Sequence, residues 1–225
     1  MSFCLRTCLP VYPSQGAGRV SPRHLKTFLK RRDFYLPAGI FWFTFEVMES
    51  TAKRLSKEEY GLWLAFSASC RATCPRARVG CVLVDKNGNV VATGYNGSLP
   101  GESHCDEVGC LMENGHCIRV KNHAEKNALS RAKANNLYDH LKGGSAFVTI
   151  RPCNSSGCFD DLIAAGIKNI CYLQEYNADS VAHHQKEVCE RTEVTMKRSD
   201  ADVSVLMKKV VEFHEGPGGI LRGGR

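Results

Sequence analysis

No stretch of the sequence approaches the ~18–20 consecutive apolar residues that cross a bilayer. A secretory signal with an apolar core and a small-residue cleavage site is also missing. The expectation is therefore a cytoplasmic protein with no membrane partner, whose twelve cysteines are thiols rather than a disulfide scaffold. No segment repeats at a fixed period, which excludes solenoids and propellers. The body of the chain also lacks an excess of charge of one sign. The net charge is +7, but residues 1–45 carry Arg6, Arg19, Arg23, Lys26, Lys30, Arg31 and Arg32 against Asp33 alone. The remaining 23 basic and 22 acidic residues nearly cancel. Such a body has no electrostatic footprint for a polyanion, so a small-molecule substrate is favoured over nucleic acid.

What is present is a domain-sized chain of 225 residues, 43% hydrophobic, enough for a real core. Its chemistry concentrates in two pieces about thirty residues apart, His123-Ala124-Glu125 and Pro152-Cys153-Asn154-Ser155-Ser156-Gly157-Cys158. They supply one imidazole, two thiols and one carboxylate. An imidazole and two thiolates suit Zn²⁺ as three protein ligands, with a fourth position left for water. Metal binding lowers that water's pKa towards about 7. Glu125 is a poor fourth ligand if a helix starts at His123, and is better placed to pass a proton from the water to a leaving amine. Two cysteines five residues apart do not share one turn of a helix. Both reach one metal only if Asn154–Gly157 loops out, and Asn, Ser, Ser and Gly are loop and cap residues. The alternative is a pair of buried structural cysteines.

In chain order, residues 1–47 form a basic extension or arm, with Pro10, Pro13, Pro22 and Pro37 and an aromatic cluster at Phe41-Trp42-Phe43 and Phe45. An organelle transit peptide, an extension upstream of Met48 and an arm that packs on a neighbour are all open readings. A zinc-binding catalytic domain is expected over residues 48–177, and a helical extension with a flexible tail over 178–225. Ser56-Lys57-Glu58-Glu59 is a capping box ahead of a helix whose apolar set is Tyr60, Leu62, Trp63, Leu64 and Phe66. Arg78–Asp85 and Val90–Gly94 are strands joined by a turn at Lys86–Asn89. A Cys/His/Gly-rich loop runs to Asn122, followed by a helix over His123–Ala134. Ser145–Ile150 and Asn169–Leu173 are strands around a helix that ends near Ala165. Strand, helix and strand imply a parallel crossover, with the site beyond the carboxyl end of the first strand at Pro152-Cys153. Val203–His214 is a helix with Val203, Leu206, Val210, Val211 and Phe213 inward. His183-His184 belong on a solvated helix face.

The ordered motifs over residues 56–177 resemble the deoxycytidylate (dCMP) deaminases of the zinc-dependent cytidine deaminase superfamily, bacterial late-competence-deaminase type. They are Arg71-Ala72-Thr73-Cys74 before Val79-Gly80, Gly94-Tyr95-Asn96-Gly97, His104-Cys105, Gly109-Cys110 and His116-Cys117-Ile118-Arg119. His123-Ala124-Glu125, Pro152-Cys153, Ile163–Ile167 and Tyr172 with Tyr176 complete the run. H-x-E followed by P-C-x-x-C is the signature of such enzymes. The resemblance implies an α/β fold, a three-layer α/β/α sandwich on a five-stranded mixed sheet. It implies conversion of dCMP to dUMP and ammonia by a zinc-bound hydroxide. His123, Cys153 and Cys158 are then the zinc ligands, Glu125 the proton shuttle, and Asn96 and Ala124 substrate contacts. It further implies dCTP and dTTP as effectors, a tie to regulation at Gly94–Gly97, and a homo-oligomer, dimer or hexamer. The bland reading of Gly94–Gly97 is a tight strand-end turn.

The four-residue cysteine gap departs from the two-residue gap of the family, although the related riboflavin-biosynthesis deaminases have a longer one and bind zinc. The segment Cys117–His123 is one residue longer than in the bacterial relatives, so no phosphate role is assigned to Arg119. Cys74, Cys105, Cys110 and Cys117 are candidates for a second, structural zinc that would pin a loop poor in apolar residues. Solvated histidines and buried cysteines are the competing reading there. Competing functions are deamination of a nucleic-acid base (tRNA adenosine or single-stranded DNA cytosine), deamination of a free base or nucleoside, and a non-catalytic zinc-stabilised nucleotide-binding relative.

Overall fold

The computed structural model describes residues 54–175 and 179–215. The expected arm at 1–47, Tyr176, the tail from 216 and the side chain of His116 lie outside the described residues. Helix α1 (Lys57–Ser69) opens on the expected capping box: Ser56 Oγ accepts from Glu59 N at 3.1 Å, and the Glu59 carboxylate accepts from Ser56 N at 2.8 Å. Strands β1 (Gly80–Val84) and β2 (Val90–Tyr95) pair antiparallel. The turn between them is held by Asp85, whose carboxylate accepts from the N–H groups of Asn87 and Asn89, each at 2.8 Å. The Cys/His loop carries short α2 (Cys105–Val108) and a two-stranded ribbon, β3 (Met112–Glu113) with β4 (His116–Cys117). Then follow α3 (Ala124–Ala134), β5 (Ser145–Ile150), α4 (Cys158–Ala164) and β6 (Asn169–Gln174). The chain continues with α5 (Asp179–Thr192), β7 (Thr195–Arg198) and α6 (Val203–Glu215).

The main sheet has the order β2-β1-β5-β6-β7, antiparallel at β2/β1 and β1/β5, parallel at β5/β6 and β6/β7. This is the five-stranded mixed sheet expected from the resemblance. The fifth strand, however, comes from residues 195–198. The sequence reading placed the domain boundary at 177 and had no strand beyond it, because Thr195-Met196-Lys197-Arg198 is short and mostly polar. Helices cover both faces. β1 is buried throughout, and its side chains alternate. Cys81 and Leu83 join Ala124, Ala128, Leu129, Phe159, Leu162 and Val188 on the α3–α4–α5 side. Val82 and Val84 join Ala65 on the α1 side, where Leu62, Cys171, Leu173 and Val203 also pack.

The α1 face differs from its expected apolar set. The buried residues are Gly61, Leu62, Ala65 and Ser69, while Tyr60 is 49% exposed. Small residues face the sheet because the helix packs close. A Cβ on Gly61 would sit 2.4 Å from the Phe147 ring. In α6 only Leu206 is fully buried, and Val211 and Phe213 point outward. His183 and His184 are exposed on α5, as expected.

Glu59 also pairs with Lys209 of α6, so one carboxylate caps α1 and ties it to α6. Lys209 and the Ser56 N–H hold its carboxyl at about 2, below its ordinary 4.5. The folded-state value lies below the unfolded one, so the stabilisation is complete above about pH 4.5 and fades as pH falls towards 2. Glu59→Ala should lower unfolding free energy by about 1 kcal/mol at pH 7. Urea midpoints at pH 7, 5 and 3.5 should show the gap to wild type narrowing only below pH 4.5.

Candidate active site

The N-terminus of α3 is aimed by the strand-end turn after β2. Gly94 has no room for a side chain, since a Cβ would lie 2.1 Å from Ala124 O and 2.5 Å from Ala128 N. Gly97 and Asn122 exchange backbone bonds at 3.0 and 3.1 Å, one residue ahead of His123. Asn127 Nδ2 donates to Tyr95 O at 2.8 Å, and the Arg131 guanidinium lies 4.8 Å over the Tyr95 ring. Asn96 is buried, with Oδ1 accepting from Val79 N at 2.8 Å and Nδ2 donating to Ala77 O at 2.9 Å. Its carboxamide braces the lead into β1 and keeps one N–H and one lone pair uncommitted.

His123 stands at the N-cap position of α3 without making a side-chain cap. Ala124, the first helical residue, is buried, and so is Glu125. Cys153 follows the carboxyl end of β5, and Cys158 is the first residue of α4. One imidazole nitrogen and the two sulfurs all lie within 4.8 Å of one another. The Cys153 Sγ–His123 Nδ1 separation is 3.5 Å. Ligands of a tetrahedral Zn²⁺, with bonds of ~2.3 Å to sulfur and ~2.0 Å to nitrogen, lie ~3.6 Å apart, so Nδ1 is the facing donor and the spacing fits. Glu125 is not part of that group. The donor set therefore fits zinc with three protein ligands and leaves the carboxylate beside them.

The cysteine loop turns out as the residue types suggested. Gly157 takes φ 72°, ψ 15°, a left-handed conformation suited to glycine, and its N–H bonds Asn154 O at 2.8 Å. Phe159 N bonds Cys153 O at 3.1 Å. Ser156 Oγ lies 3.4 Å from His123 Nε2, the ring nitrogen that faces away from the sulfurs. From α5, Gln185 Nε2 donates to Pro152 O and to Asn154 Oδ1, each at 2.7 Å. Neither Ser156 nor Gln185 was singled out from the sequence. Gln185 lies in a polar stretch with no motif around it.

The electrostatics suit a metal site. Hydrogen bonds from the Cys158 thiol and from His123 pull Cys153 down to about 3, against its burial. The bond to Cys153 and burial push Cys158 up, while the bond to Cys153 raises His123. Burial drives Glu125 up to about 7. A carboxyl poised there can hold or release a proton near neutral pH.

Cys74, Cys105, Cys110 and Cys117 form a second group whose sulfurs lie within 4.8 Å of one another. The Cys105–Cys117 Sγ separation is 3.5 Å, far from a ~2.0 Å disulfide and near the ~3.8 Å edge of a Zn–S₄ tetrahedron. Burial pushes Cys105 up to about 12. For Cys117 burial is outweighed by the Arg119 N–H, the neighbouring thiols and the Leu111 N–H, which bring it to about 7. All ten cysteines among the described residues are free thiols. The Nε of Arg119 is buried with no hydrogen-bond partner among the described residues. A cleft of about 800 Å³ lies beside Phe66, Leu173 and Arg198, and no triad residue lines it.

Residues 55–174 match the family model for the cytidine and deoxycytidylate deaminase zinc-binding region. The chain belongs to that family. It is 33% identical over 154 residues to ComE operon protein 2 of Bacillus subtilis, covering 68% of this chain and 77% of that one. It is 36% identical over 134 residues to the deoxycytidylate deaminase of Schizosaccharomyces pombe, covering 56% of this chain and 40% of that one. The structure of the cyanophage S-TIM5 dCMP deaminase in complex with dCMP and dUMP superposes with a TM-score of 0.51 at 27% identity. That match covers 63% of this chain and 95% of the phage chain. The family accounts for the mixed sheet and for the zinc chemistry of the donor set.

The Gly94 contact makes a direct check of how α3 is aimed. Gly94→Ala presses a methyl against helix backbone that has little freedom to give, at a cost of about 1–3 kcal/mol. The variant should melt several degrees lower than wild type and retain less metal per chain after dialysis.

Proposed function

We infer that the protein hydrolyses dCMP to dUMP and ammonia. The observation that carries this reading is the buried Glu125 carboxyl next to a His–Cys–Cys donor set, a combination a purely structural metal site does not need. His123, Cys153 and Cys158 would hold Zn²⁺, which when bound supplies the Lewis acidity that makes water a nucleophile at neutral pH. Glu125 would take a proton from water and carry it to the departing 4-amino nitrogen, the water's second proton ending on ring N3, so that ammonia leaves as the ring gains a carbonyl oxygen. Its burial keeps the carboxyl's affinity for the proton near the working pH. Ala124 and Asn96 are assigned to the substrate, Asn96 through the hydrogen-bonding capacity its bracing leaves free.

Several relatives bear the name deoxycytidylate deaminase, and the phage structure holds dCMP and dUMP, which supports a nucleotide substrate. The nearly neutral body agrees with that and not with a nucleic-acid base. Cys74, Cys105, Cys110 and Cys117 are assigned a structural zinc. Effector binding by dCTP and dTTP and assembly into dimers or hexamers belong to the same proposal. Exposed Leu99, Val108, Leu111, Met112 and Ile118 around the Cys/His loop would suit contact between copies.

The test is ammonia release from dCMP, CMP, deoxycytidine and a short single-stranded oligonucleotide, with zinc counted per chain. Turnover of dCMP with two zincs per chain is expected, and turnover of the oligonucleotide alone would overturn the substrate assignment. Glu125→Gln should lose at least ~10²-fold in kcat while keeping its zinc. Full activity in that variant would remove the proton-shuttle role. Cys153→Ser and Cys110→Ser should each lose one zinc, the latter with a lower Tm.

A further inference from the structure

We propose that Gln185 is a positioning residue for the metal centre, clamping the widened loop so that Cys153 and Cys158 reach one ion. This rests on His123, Cys153 and Cys158 sharing a metal. Five residues separate the two sulfurs along the chain, so the intervening Asn154-Ser155-Ser156-Gly157 must be held in one shape for Cys153 to have one position. Bonds inside the loop supply only part of that. Gly157 N to Asn154 O closes the turn, and apart from Ser156 Oγ, 3.4 Å from His123 Nε2, no bond from within the turn fixes it against the rest of the domain.

Gln185 does. Its side chain is fully buried, at 0% exposure, on a helix outside the catalytic motifs. Both amide hydrogens are used on the loop, one on Pro152 O and one on Asn154 Oδ1, the residues on either side of Cys153. Its oxygen accepts from Arg151 Nε at 2.7 Å. Arg151 is fixed in turn by Glu175 at 3.0 Å, and Tyr172 OH donates to the other Glu175 oxygen at 2.6 Å. Arg151, Pro152 and Asn154, the residues that flank the ligand Cys153, are thus gripped from α5 and the end of β6. A loop so held also presents Ser156 Oγ to His123 Nε2, the place of an outer partner that orients a ligating imidazole. The longer gap is therefore held from outside, through its first residue and the two residues ahead of Cys153.

The experiment titrates Co²⁺ and Zn²⁺ into wild type, Gln185→Met, Asn154→Ala and the double variant, in competition with a chelator. The thiolate-to-cobalt charge-transfer band reports the sulfur environment, and the four-cysteine cluster in the same chain serves as an internal standard. Each single variant should weaken metal binding at the His123 centre about 10–100-fold and shift its band. Binding at the four cysteines should stay unchanged. The double variant should fall well short of the product of the two losses, because both remove one shared contact. A Gln185→Met protein that keeps its four-cysteine metal and wild-type affinity at the His123 centre would overturn the proposal. If Gln185→Met does not fold, Asn154→Ala alone decides, since it leaves the other two bonds of Gln185 in place. Cys153→Ser is run alongside: if it retains the metal, the three-ligand reading itself fails, whatever Gln185 does.

Discussion

Two segments far apart in the chain have to deliver one nitrogen and two sulfurs to a volume a few ångströms across, and most of the fold is explained by that demand. His123 is set by the start of α3, and α3 is set by how closely it approaches β2 at Gly94. Cys153 is set by the end of β5, the central strand that pairs antiparallel to β1 and parallel to β6. Cys158 opens α4, which a Lys126–Asp161 ion pair at 3.0 Å joins to α3. Burial then acts differently on the groups around this point. The hydrogen bond between the two sulfurs lowers Cys153 and raises Cys158, while burial raises Glu125.

The Gly94–Gly97 turn illustrates how a motif carries two demands at once. Its first glycine exists for helix–strand contact, and its last pairs with Asn122 to aim His123. Asn96 between them spends its amide on the backbone before β1. A strand-end turn and a site element are the same object here, so the structural and functional readings of the motif do not compete.

Much of this was legible in the sequence because it depends on local chemistry. The capping box at Ser56, the turn at Lys86–Asn89, the strand at Ser145–Ile150 and the helix expected from His123, which begins at Ala124, follow from residue types and period. The His123–Cys153–Cys158 triad and the four-cysteine group were nameable because soft ligands at such spacings have few other uses. What escaped depends on distant partners. Thr195–Arg198 becomes a strand only because β6 offers it an edge, and its own side chains give no alternating signal. Gln185 acquires its meaning from Pro152 and Asn154, thirty residues upstream. The inward face of α1 was misplaced because large apolar residues outweighed Gly61 and Ala65, whose importance lies in being small.

The far end of the sheet has a bearing on how copies of the chain can meet. β7 is four residues long, with Lys197 and Arg198 among them, at the margin of an otherwise well-paired sheet. A strand this short offers few ladder bonds, and its Lys197, tied to Glu58, and Arg198 make it a poor edge for a foreign strand. Growth by continuous hydrogen bonding from one subunit's β7 into the next is thereby discouraged.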